Sequence, residues 1–537
     1  MPERGTRRGI AGSCDARRGD RVSGGIVSSL DIPGDLDVDC DVVVVGSGAG
    51  GATVATELAL AGKRVIVLEE GRNVPAAEHG AMRQSESLRH LWREGGMTVA
   101  LGLGGAPTIN VTMGRCVGGS SVLTGGVCFR VPDAILRHWS HDMNLAEFTP
   151  ERLDRYYRHV EEAIHVEEVP ISMRSRSTEL FCDGAAKLGI EMHPIRRNTK
   201  GCDGCGRCNF GCPHGAKLSV DLSYLPRAIA AGATVYTQCL VDRVTMRGAR
   251  AVGVEGRLLD GPIGKKKGRL RVRAKRVVVA CGGVHTPALL RASGLAHVGS
   301  HIGRHLTLHP GFRVYAVFDR PVRGWQGALQ SAFSDTFEHE GVTLMSLFVP
   351  ASVIAATMPH AGPAHARLAE RVDHIAMLGA LVHDDGGGSI HRNPFGREPI
   401  VFYRCSEKDH ARMRFGIRKL GECFLAAGAK ELFLPILGSE GLSPDAFRRL
   451  DLDRIPSTRL EAASQHPLGT CRMSVHAGDG VVDPYGKVWD AESLYVADGS
   501  VLPSSLGVNP QLTVMMQATR TAWRLAEESL AREPLVA

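Results

Sequence analysis

Residues 41–71 read DVVVVGSGAGGATVATELALAGKRVIVLEEG, and this stretch carries the clearest indication of a fold in the chain. It opens with an apolar run at 42–45, as expected of a strand that is buried on both faces. The pattern G-x-G-x-x-G follows at Gly46, Gly48 and Gly51. Apolar residues at helical spacing come next, and a second apolar strand at 65–68 ends in Glu69. This order of strand, glycine turn, helix, strand and acid predicts a Rossmann-like unit in an α/β protein.

The glycine turn has a specific chemical use. Glycines let the backbone approach a pyrophosphate closely, and the first turn of the helix offers it free N–H groups and a positive dipole. Glu69 would then accept hydrogen bonds from the ribose hydroxyls of a dinucleotide. The chain holds no second fingerprint of this kind, so we expect one dinucleotide. A tight turn without a ligand is the alternative, and the motif alone does not identify the dinucleotide.

Length and charge narrow the classes of protein. At 537 residues the chain can build two domains or one interleaved unit. Its net charge of +7 is small for this length and does not indicate a nucleic-acid partner. The basic side chains Arg269, Arg271 and Arg273 alternate with apolar residues, so they share one strand face. No aromatic residues lie between them for base stacking, which favours a solvated face over a nucleic-acid patch.

The N-terminal region and the hydropathy of the chain bear on its location. Six arginines fall within the first 22 residues, but no apolar segment follows them. We therefore expect no secretory signal and a cytoplasmic location. We expect residues 1–35 to be a disordered lead-in. No run of about 18 apolar residues occurs, so we expect no membrane span.

The C-terminal region carries two further features. Residues 464–473 read SQHPLGTCRM, which places His466 in a stretch rich in proline and glycine, where loops often carry function. Further on, Asn509 and Pro510 form a good helix start, with asparagine as the N-cap and proline in the first turn. We expect a helix over about 510–530. Its candidate core residues include Met516, Trp523 and Ala526.

This C-terminal region resembles the end of the glucose–methanol–choline (GMC) family of FAD-dependent oxidoreductases. HPLGTCRM, YVADGSVLP and GVNP resemble in particular the cholesterol-oxidase and long-chain-alcohol-oxidase branches. Three other segments resemble family motifs in the same order along the chain: GRCVGGSSVLTGG at 114–126, RVVVACGGVHTPALLRASGL at 276–295 and VGSHIGRHLTLHP at 298–310. One departure is Thr124, which stands where the family usually has an asparagine that contacts the flavin.

The resemblance implies a division of the chain. It predicts a Rossmann-like FAD-binding domain with an interleaved α+β substrate domain built on an antiparallel sheet. The FAD-binding domain would comprise 36–130, 215–310 and 461–537. The substrate domain would comprise 131–214 and 311–460.

The resemblance also implies a chemistry, which is oxidation of an alcohol by hydride transfer to the flavin. His466 would accept the hydroxyl proton or hold the hydroxyl by a hydrogen bond, because an imidazole suits either task. Asn509 would orient the substrate oxygen, and the helix that it starts would turn its positive end toward the reduced, anionic flavin. The expected cofactor-binding residues are Gly46, Gly48, Gly51, Glu69, Gly118, Gly119, Ser120, Ser121, Val241, Asp498, Gly499 and Asn509.

A cysteine-rich loop at 201–217 reads GCDGCGRCNFGCPHGAK, with the spacing C-x2-C-x2-C-x3-C-P that bacterial ferredoxins use for iron–sulfur clusters. Its cysteines are Cys202, Cys205, Cys208 and Cys212. Some sugar dehydrogenases of the GMC family hold a [3Fe–4S] cluster through three cysteines, and Cys202, Cys208 and Cys212 resemble that set. Cys205 would add the fourth ligand of a [4Fe–4S] cluster. A structural loop with free thiols and a tetrahedral zinc site are the alternatives.

Whether this loop holds a cluster would determine the electron acceptor. With a cluster, the enzyme would be a dehydrogenase that feeds a quinone, a cytochrome or a ferredoxin; without one, O2 would reoxidise the flavin. An electron carrier with flavin and a cluster but no alcohol chemistry is a further alternative. The substrate would be a small-molecule alcohol of fairly apolar character. The segment VTLMSLFVPASVIAATM at 342–358 would suit an apolar pocket for it, but its composition favours a plain core.

Overall fold

The structure of the protein is a computed structural model that describes residues 24–261, 264–295, 301–359 and 361–532. Its strands, in chain order, are β1 Gly25–Ser28, β2 Leu36–Val45, β3 Val65–Glu69, β4 Val99–Leu103, β5 Ile109–Val111, β6 Val166–Glu168, β7 His193–Pro194, β8 Arg196–Asn198, β9 Thr234–Thr237, β10 Cys239–Arg247, β11 Arg250–Leu259, β12 Lys266–Val279, β13 Gly311–Val317, β14 Ala332–Ser334, β15 Val342–Ser346, β16 Ile375–Val382, β17 Ser389–His391, β18 Ile400–Arg404, β19 Glu431–Phe433, β20 Ala462–Ser464 and β21 Leu494–Val496. Its α-helices are α1 Ala49–Leu60, α2 Ala76–Ala81, α3 Gln84–Leu91, α4 Asp133–Arg137, α5 Pro150–Ala163, α6 Arg176–Lys187, α7 Tyr224–Ala230, α8 Gly282–Ala292, α9 Ala351–Thr357, α10 Gly362–Ala369, α11 Glu407–Ala426, α12 Pro444–Arg449 and α13 Gln511–Arg532.

The first of two large sheets contains the predicted Rossmann-like unit. Its order is β1-β9-β3-β2-β12-β11-β10, and β21 pairs with the end of β12. The pairs from β1 to β12 and the β12–β21 pair are parallel, whereas β10, β11 and β12 form an antiparallel meander. The apolar run at 42–45 is buried, because β2 lies between β3 and β12 and α1 packs on the sheet.

The N-terminal edge of this sheet departs from the sequence-based expectation. The predicted disordered lead-in over 1–35 is wrong for residues 24–35, because Gly25–Ser28 forms β1 and pairs in parallel with β9. A stretch as short as GIVS can add an edge strand, since the backbone supplies the hydrogen bonds. Residues 1–23 lie outside the described part of the chain.

The basic strand face lies on the same sheet. Arg269, Arg271 and Arg273 are exposed on β12, as predicted, and each pairs with a carboxylate. Arg269 bonds to Asp35, and Arg273 bonds to the acids of β2. The arginines therefore face acidic side chains of neighbouring chain segments.

The second sheet has the order β17-β18-β4-β5-β20-β13-β16-β15-β14-β7, with β19 paired to β13. Most of its pairs are antiparallel, as predicted, but β18–β4 and β20–β5 are parallel. Strands β4, β5 and β20 come from the ranges 36–130 and 461–537, which the sequence assigns to the FAD-binding domain. The two units are thus interleaved more closely than the predicted boundaries, because segments from both sides share one sheet.

Helix α5 also departs from the predicted division. The sequence places it in the substrate domain, but it packs against α13, and its buried residues Leu153, Tyr157 and Val160 belong to the core of the first sheet. None of the helices in the described residues combines the length and the apolar character that crossing a bilayer requires.

A buried carboxylate joins three helices of this core. Glu57 on α1 accepts hydrogen bonds from Nε2 of His159 on α5 at 2.7 Å and from Nε1 of Trp523 on α13 at 2.9 Å. Burial opposes the charge of Glu57, but the bonds from His159 and Trp523 outweigh it and lower the pKa of the carboxyl below its ordinary value. The position of α13 on α1 therefore depends on a polar contact as well as on apolar packing.

Replacement of this carboxylate should destabilise the protein. Glu57→Ala leaves the partly buried donors of His159 and Trp523 without an acceptor, which we expect to cost about 1–3 kcal/mol. The measurement is the shift of the urea unfolding midpoint. Leu60→Ala on the same helix is the control, since Leu60 is 54% exposed and its loss should cost about 0.5 kcal/mol at most. Equal shifts for the two variants would contradict a role of Glu57 in joining the helices.

Candidate active site

A cavity of about 980 Å³ is lined by residues of both sheets. Its lining includes the glycine turn after β2, the loop at 114–125, the start of α8 and strands β13, β15 and β16. Segments 463–468 and 509–511 line it as well. Ligand cavities usually measure about 300–1,000 Å³, so this one is large enough for an extended ligand.

The glycine turn after β2 brings bare backbone to the cavity. Gly46 has φ of +101°, and a Cβ on Gly51 would lie 2.0 Å from the carbonyl oxygen of Gly46. A Cβ on Gly48, in contrast, would have only the Cα of Gly119 within 4.0 Å, so its free side is open space. Gly46 and Gly51 therefore shape the turn, and Gly48 leaves room beside it for a ligand.

Glu69 holds this turn in place. One carboxylate oxygen accepts hydrogen bonds from the backbone N–H of Ser47 at 3.0 Å and from its hydroxyl at 2.6 Å, and the other accepts from the N–H of Gly71 at 2.8 Å. Burial raises the pKa of Glu69, although these three donors act in the opposite direction. The carboxylate lines the cavity, and its predicted contact with a ribose stays a prediction.

The loop at 114–126 meets the glycine turn directly. Gly118 and Gly119 both have positive φ, and the N–H of Gly118 donates to the hydroxyl oxygen of Ser47 at 3.1 Å. The hydroxyl of Ser120 accepts from the N–H of Gly114, and that of Ser121 donates to the carbonyl of Gly118. Both serines line the cavity, as the sequence predicts.

Three more predicted residues line the cavity. The carboxylate of Asp498 accepts hydrogen bonds from the N–H of Gly282 at 2.9 Å and the N–H of Ser500 at 2.8 Å, and from the hydroxyl of Thr286. Burial raises the pKa of Asp498. Gly499 follows it, and Val241 lies on β10 where the register with β11 shifts. Their contacts with a cofactor remain predictions.

His466 and Asn509 lie together at one end of the cavity, with Nε2 of His466 3.3 Å from the amide nitrogen of Asn509. A third residue, His309, was missed by sequence reasoning. Its Nδ1 lies 3.3 Å from Nδ1 of His466, and its Nε2 accepts hydrogen bonds from the N–H groups of Leu506 at 2.8 Å and Gly507 at 3.3 Å. It belongs to LTLHP at 306–310, whose resemblance to a family motif was the available signal.

These contacts determine which ring nitrogens of His309 and His466 carry a proton. Burial and the neighbouring His383 lower the pKa of His309 to about 3, and burial and His309 hold the pKa of His466 well below 6.5. Both rings are therefore neutral near pH 7. Because Nε2 of His309 accepts two backbone N–H groups, its proton is on Nδ1 and is donated to Nδ1 of His466. The proton of His466 is then on Nε2.

Asn509 completes this network. Its Oδ1 is buried without a hydrogen-bond partner, while its nitrogen lies beside the protonated Nε2 of His466. Amide orientation follows the hydrogen bonds, so the satisfied arrangement has Oδ1 accepting from Nε2–H and Nδ2 free to donate into the cavity. Within this pair, Nδ2 of Asn509 is therefore the group that can donate to an oxygen atom bound in the cavity.

The start of α13 supports an anionic or polar group at the same place. The helix begins at Gln511, which confirms the predicted start near 510, and Met516 is buried in the core as expected. Trp523 and Ala526 are partly buried against that core. Gln511 lines the cavity, and its Nε2 is buried without a hydrogen-bond partner. A free donor at a positive helix end fits the polar edge of a flavin.

The cysteine-rich loop reaches the cavity through residues between its cysteines. Asn209 and Phe210 line the cavity, and Phe210 stacks on Trp92 with ring centroids 5.6 Å apart. The glycines of the loop permit close packing, since a Cβ on Gly211 would lie 2.4 Å from the carbonyl oxygen of His79. The loop therefore contributes wall to the cavity.

Two buried cations attach this loop to its surroundings. Nζ of Lys217 lies within 3.3 Å of four carbonyl oxygens, those of Ser121, Val122, Thr124 and Cys208. Burial lowers the pKa of Lys217 to about 8. Arg197 donates to Sγ of Cys208 at 2.9 Å and to the carbonyl of Gly125 at 2.8 Å. The loop is thus joined to the segment 121–125.

The thiols themselves do not form a metal site in this structure. Cys202, Cys205, Cys208 and Cys212 are free, and Cys208 is buried. Over residues 24–261, 264–295, 301–359 and 361–532, no group of three or more His, Cys, Asp or Glu side chains is placed to hold a metal ion. The arrangement does not fit the predicted iron–sulfur cluster or a zinc site, and no electron path is derived through it.

The apolar segment at 342–358 contributes both to the core and to the wall of the cavity. Val342 and Leu344 on β15 belong to the core of the second sheet. Other residues of the segment line the cavity: Met345, Leu347, Val349 and Val353. One part of the cavity wall is therefore apolar.

Comparison with known proteins assigns this architecture. Profiles described as GMC oxidoreductase match residues 40–311 and 388–518. The chain belongs to the GMC oxidoreductase family. This GMC oxidoreductase is 38% identical over 485 residues to an uncharacterised GMC-type oxidoreductase of Mycobacterium tuberculosis, covering 90% of this chain and 75% of that protein. It is 28% identical over 525 residues to a long-chain-alcohol oxidase of Arabidopsis thaliana, covering 91% of this chain and 67% of that protein.

Solved structures confirm the fold of this GMC oxidoreductase. Pyridoxine 4-oxidase from Mesorbium loti matches with a TM-score of 0.69 at 18% identity, over 91% of this chain and 99% of that chain. A formate oxidase variant from Aspergillus oryzae RIB40 matches with a TM-score of 0.71 at 17% identity, over 92% and 99%. Family and fold together confirm the predictions of FAD as cofactor and of an oxidoreductase that acts on CH–OH donors.

The open side of Gly48 gives a test of the cofactor site. Gly48→Val should fold, since its Cβ meets no atom closer than 4.0 Å, but the side chain would fill the space where we predict that the pyrophosphate of FAD binds. We expect the Kd for FAD to rise by about tenfold or more, measured by flavin fluorescence on the apoprotein. Gly34→Val is the matched control, because a Cβ there meets nothing within 4 Å and Gly34 does not line the cavity. Equal FAD affinity of the two variants would place the pyrophosphate elsewhere.

Proposed function

We propose that this GMC oxidoreductase oxidises a primary alcohol with an apolar chain to the aldehyde and uses O2 as the final electron acceptor. The observation that carries the proposal is the pair His466 and Asn509 in a cavity with an apolar wall. Relatives named as long-chain-alcohol oxidases support both the substrate class and the acceptor. FAD, when bound, supplies the hydride acceptor.

The apolar wall would bind the chain of the alcohol. Met345, Leu347, Val349 and Val353 offer no hydrogen bonds, so binding there depends on removing apolar surface from water. Each buried methylene contributes about 0.8 kcal/mol, which corresponds to roughly fourfold in affinity. The wall therefore favours long alcohols over short or polyhydroxylated ones.

Asn509 would hold the reacting oxygen. With its Oδ1 turned to His466, Nδ2 donates to the alcohol oxygen at the start of α13. The positive end of that helix favours negative charge that develops nearby. The same two features keep the hydroxyl in one orientation while its proton leaves.

His466 would take the hydroxyl proton. It can accept a proton at Nε2 only in the neutral form that carries its own proton on Nδ1. That form loses the hydrogen bond from His309 and the one to Oδ1 of Asn509. The loss costs about 1–3 kcal/mol, which is small beside the barriers that enzymes lower. In its resting form His466 instead donates from Nε2 to Oδ1 of Asn509, so Nδ2 of Asn509 binds the alcohol oxygen before His466 changes tautomer and accepts the proton.

The test is a series of linear primary alcohols. We expect kcat/KM to rise by up to about fourfold per methylene until the chain outgrows the cavity, with O2 consumed and H2O2 formed. His466→Ala should lower kcat by about 10²–10⁴-fold and leave FAD content unchanged, because it removes the proton acceptor without touching the glycine turn.

His339→Ala is the matched control, since His339 is exposed and does not line the cavity. It should keep full activity. If kcat/KM did not change with the length of the alcohol, the proposed apolar substrate would be wrong. If His466→Ala kept full activity, His466 would not be the proton acceptor. Stoichiometric iron and sulfide in protein that does not consume O2 would overturn the choice of acceptor.

The pH dependence follows from the buried histidine. A pKa held well below 6.5 means that His466 is neutral above that pKa and becomes protonated only as the pH falls through it. We therefore expect kcat/KM to stay constant between about pH 6 and 8 and to fall only at lower pH. A pH profile with a half-maximum near 6.5 or higher would identify a different proton acceptor.

A further inference from the structure

A second cavity of about 590 Å³ lies behind the segment that carries His309. His305 and Thr307 line this second cavity, whereas His309 lines the first, and no residue lines both. Two other segments line both cavities with different residues. The start of α8 lines the first cavity and its Arg291 lines the second; likewise His466 lines the first and Arg472 the second. The second cavity therefore shares these chain segments with the first cavity but has a separate set of lining residues.

Positive charge dominates this cavity. Three arginines line it, Arg291, Arg304 and Arg472, and none of them forms an ion pair with a carboxylate of the described residues. The guanidinium of Arg291 donates to the carbonyls of Ile302 and Ile390, and Nε of Arg472 donates to the carbonyl of Asp479 at 3.0 Å. Backbone carbonyls use some of the N–H groups and leave the charges uncompensated.

The acidic group of the cavity is already engaged. Asp385 lines it, but its carboxylate accepts from Nη1 of Arg412 at 2.8 Å and from the hydroxyl of Ser406 at 2.8 Å. Arg304 is exposed, and its side chain has no bonded partner within the described residues. Burial and the charges of Arg472 and His301 lower the pKa of His305 to about 4, which agrees with a positive potential.

A neutral donor points to the same kind of ligand. Thr307 is 4% exposed and lines the cavity, and its hydroxyl is buried without a hydrogen-bond partner. A buried hydroxyl of this kind costs free energy until it is bonded. Since both backbone groups of Thr307 bond to Leu468, the hydroxyl is the part that remains available.

We propose that this second cavity binds an oxyanion, and that its ligand is a small organic molecule with a phosphate or carboxylate group. Guanidinium groups present N–H pairs that match the oxygens of either group, and the hydroxyl of Thr307 adds one more donor. Met143 and Pro503 are also among the lining residues and suit the uncharged part of such a molecule. The site is separate from the one that takes the alcohol.

The experiment is isothermal titration of the FAD-loaded protein with inorganic phosphate, acetate and ethyl phosphate at constant ionic strength in chloride. We expect saturable binding of at least one anion, and the tighter binder identifies a phosphate or a carboxylate ligand. Arg304→Gln should raise the Kd by about tenfold or more, because it removes a charged donor without a structural bond. Thr307→Val keeps the shape of the side chain and should raise the Kd by a smaller factor.

Arg320→Gln is the matched control, since Arg320 is exposed and lies outside the cavity. It should leave the Kd unchanged. Absence of saturable binding for all three anions would overturn the proposal, and so would binding that Arg304→Gln and Arg320→Gln weaken equally. Because the readout is binding of anions that are not alcohols, the outcome does not depend on the proposed oxidation.

Discussion

Two glycine turns from distant parts of the chain touch each other, and the rest of the structure depends on that contact. A Cβ on Gly119 would lie 2.8 Å from the Cα of Gly48, so Gly119 cannot carry a side chain while the turns keep this distance. The hydrogen bond from Gly118 to Ser47 joins the turns, and the bonds from Ser47 to Glu69 fix the first one to β3. The cavity opens beside this contact, with bare backbone along one side.

The sequence predicted the parts of the fold and of the site that depend on local pattern. The order of β2, α1 and β3 followed from an apolar run, a glycine turn and helical spacing, and the start of α13 followed from asparagine before proline. The chain brings His466 and Asn509 together as the family motifs imply. These signals lie within a few residues of one another, so no tertiary contact was needed to detect them.

Other parts could not be predicted, because they depend on contacts between distant segments. Two β-branched residues in Gly25–Ser28 are too short a run to indicate a strand by themselves, and the segment pairs with the edge that β9 offers. His309 looks no different in sequence from His301 and His305, and only its approach to His466 sets it apart. Likewise, the spacing of the loop cysteines matches a ferredoxin, while the fold directs Asn209 and Phe210 of that loop to the cavity wall. Spacing along a chain is weaker evidence than convergence in space.

The interleaving of the first sheet has a consequence for how the protein is made. Strand β2 ends at Val45, but its partner β12 is at 266–279, and the helix that packs on α1 spans 511–532. At about 5–20 residues per second, a ribosome needs roughly 20 to 90 s to pass from the glycine turn to α13. During that time the face of α1 that packs on α13 has no cover and is a target for chaperones. The segments 463–468 and 509–511, which form part of the cavity wall, are therefore among the last parts of the site to be synthesised.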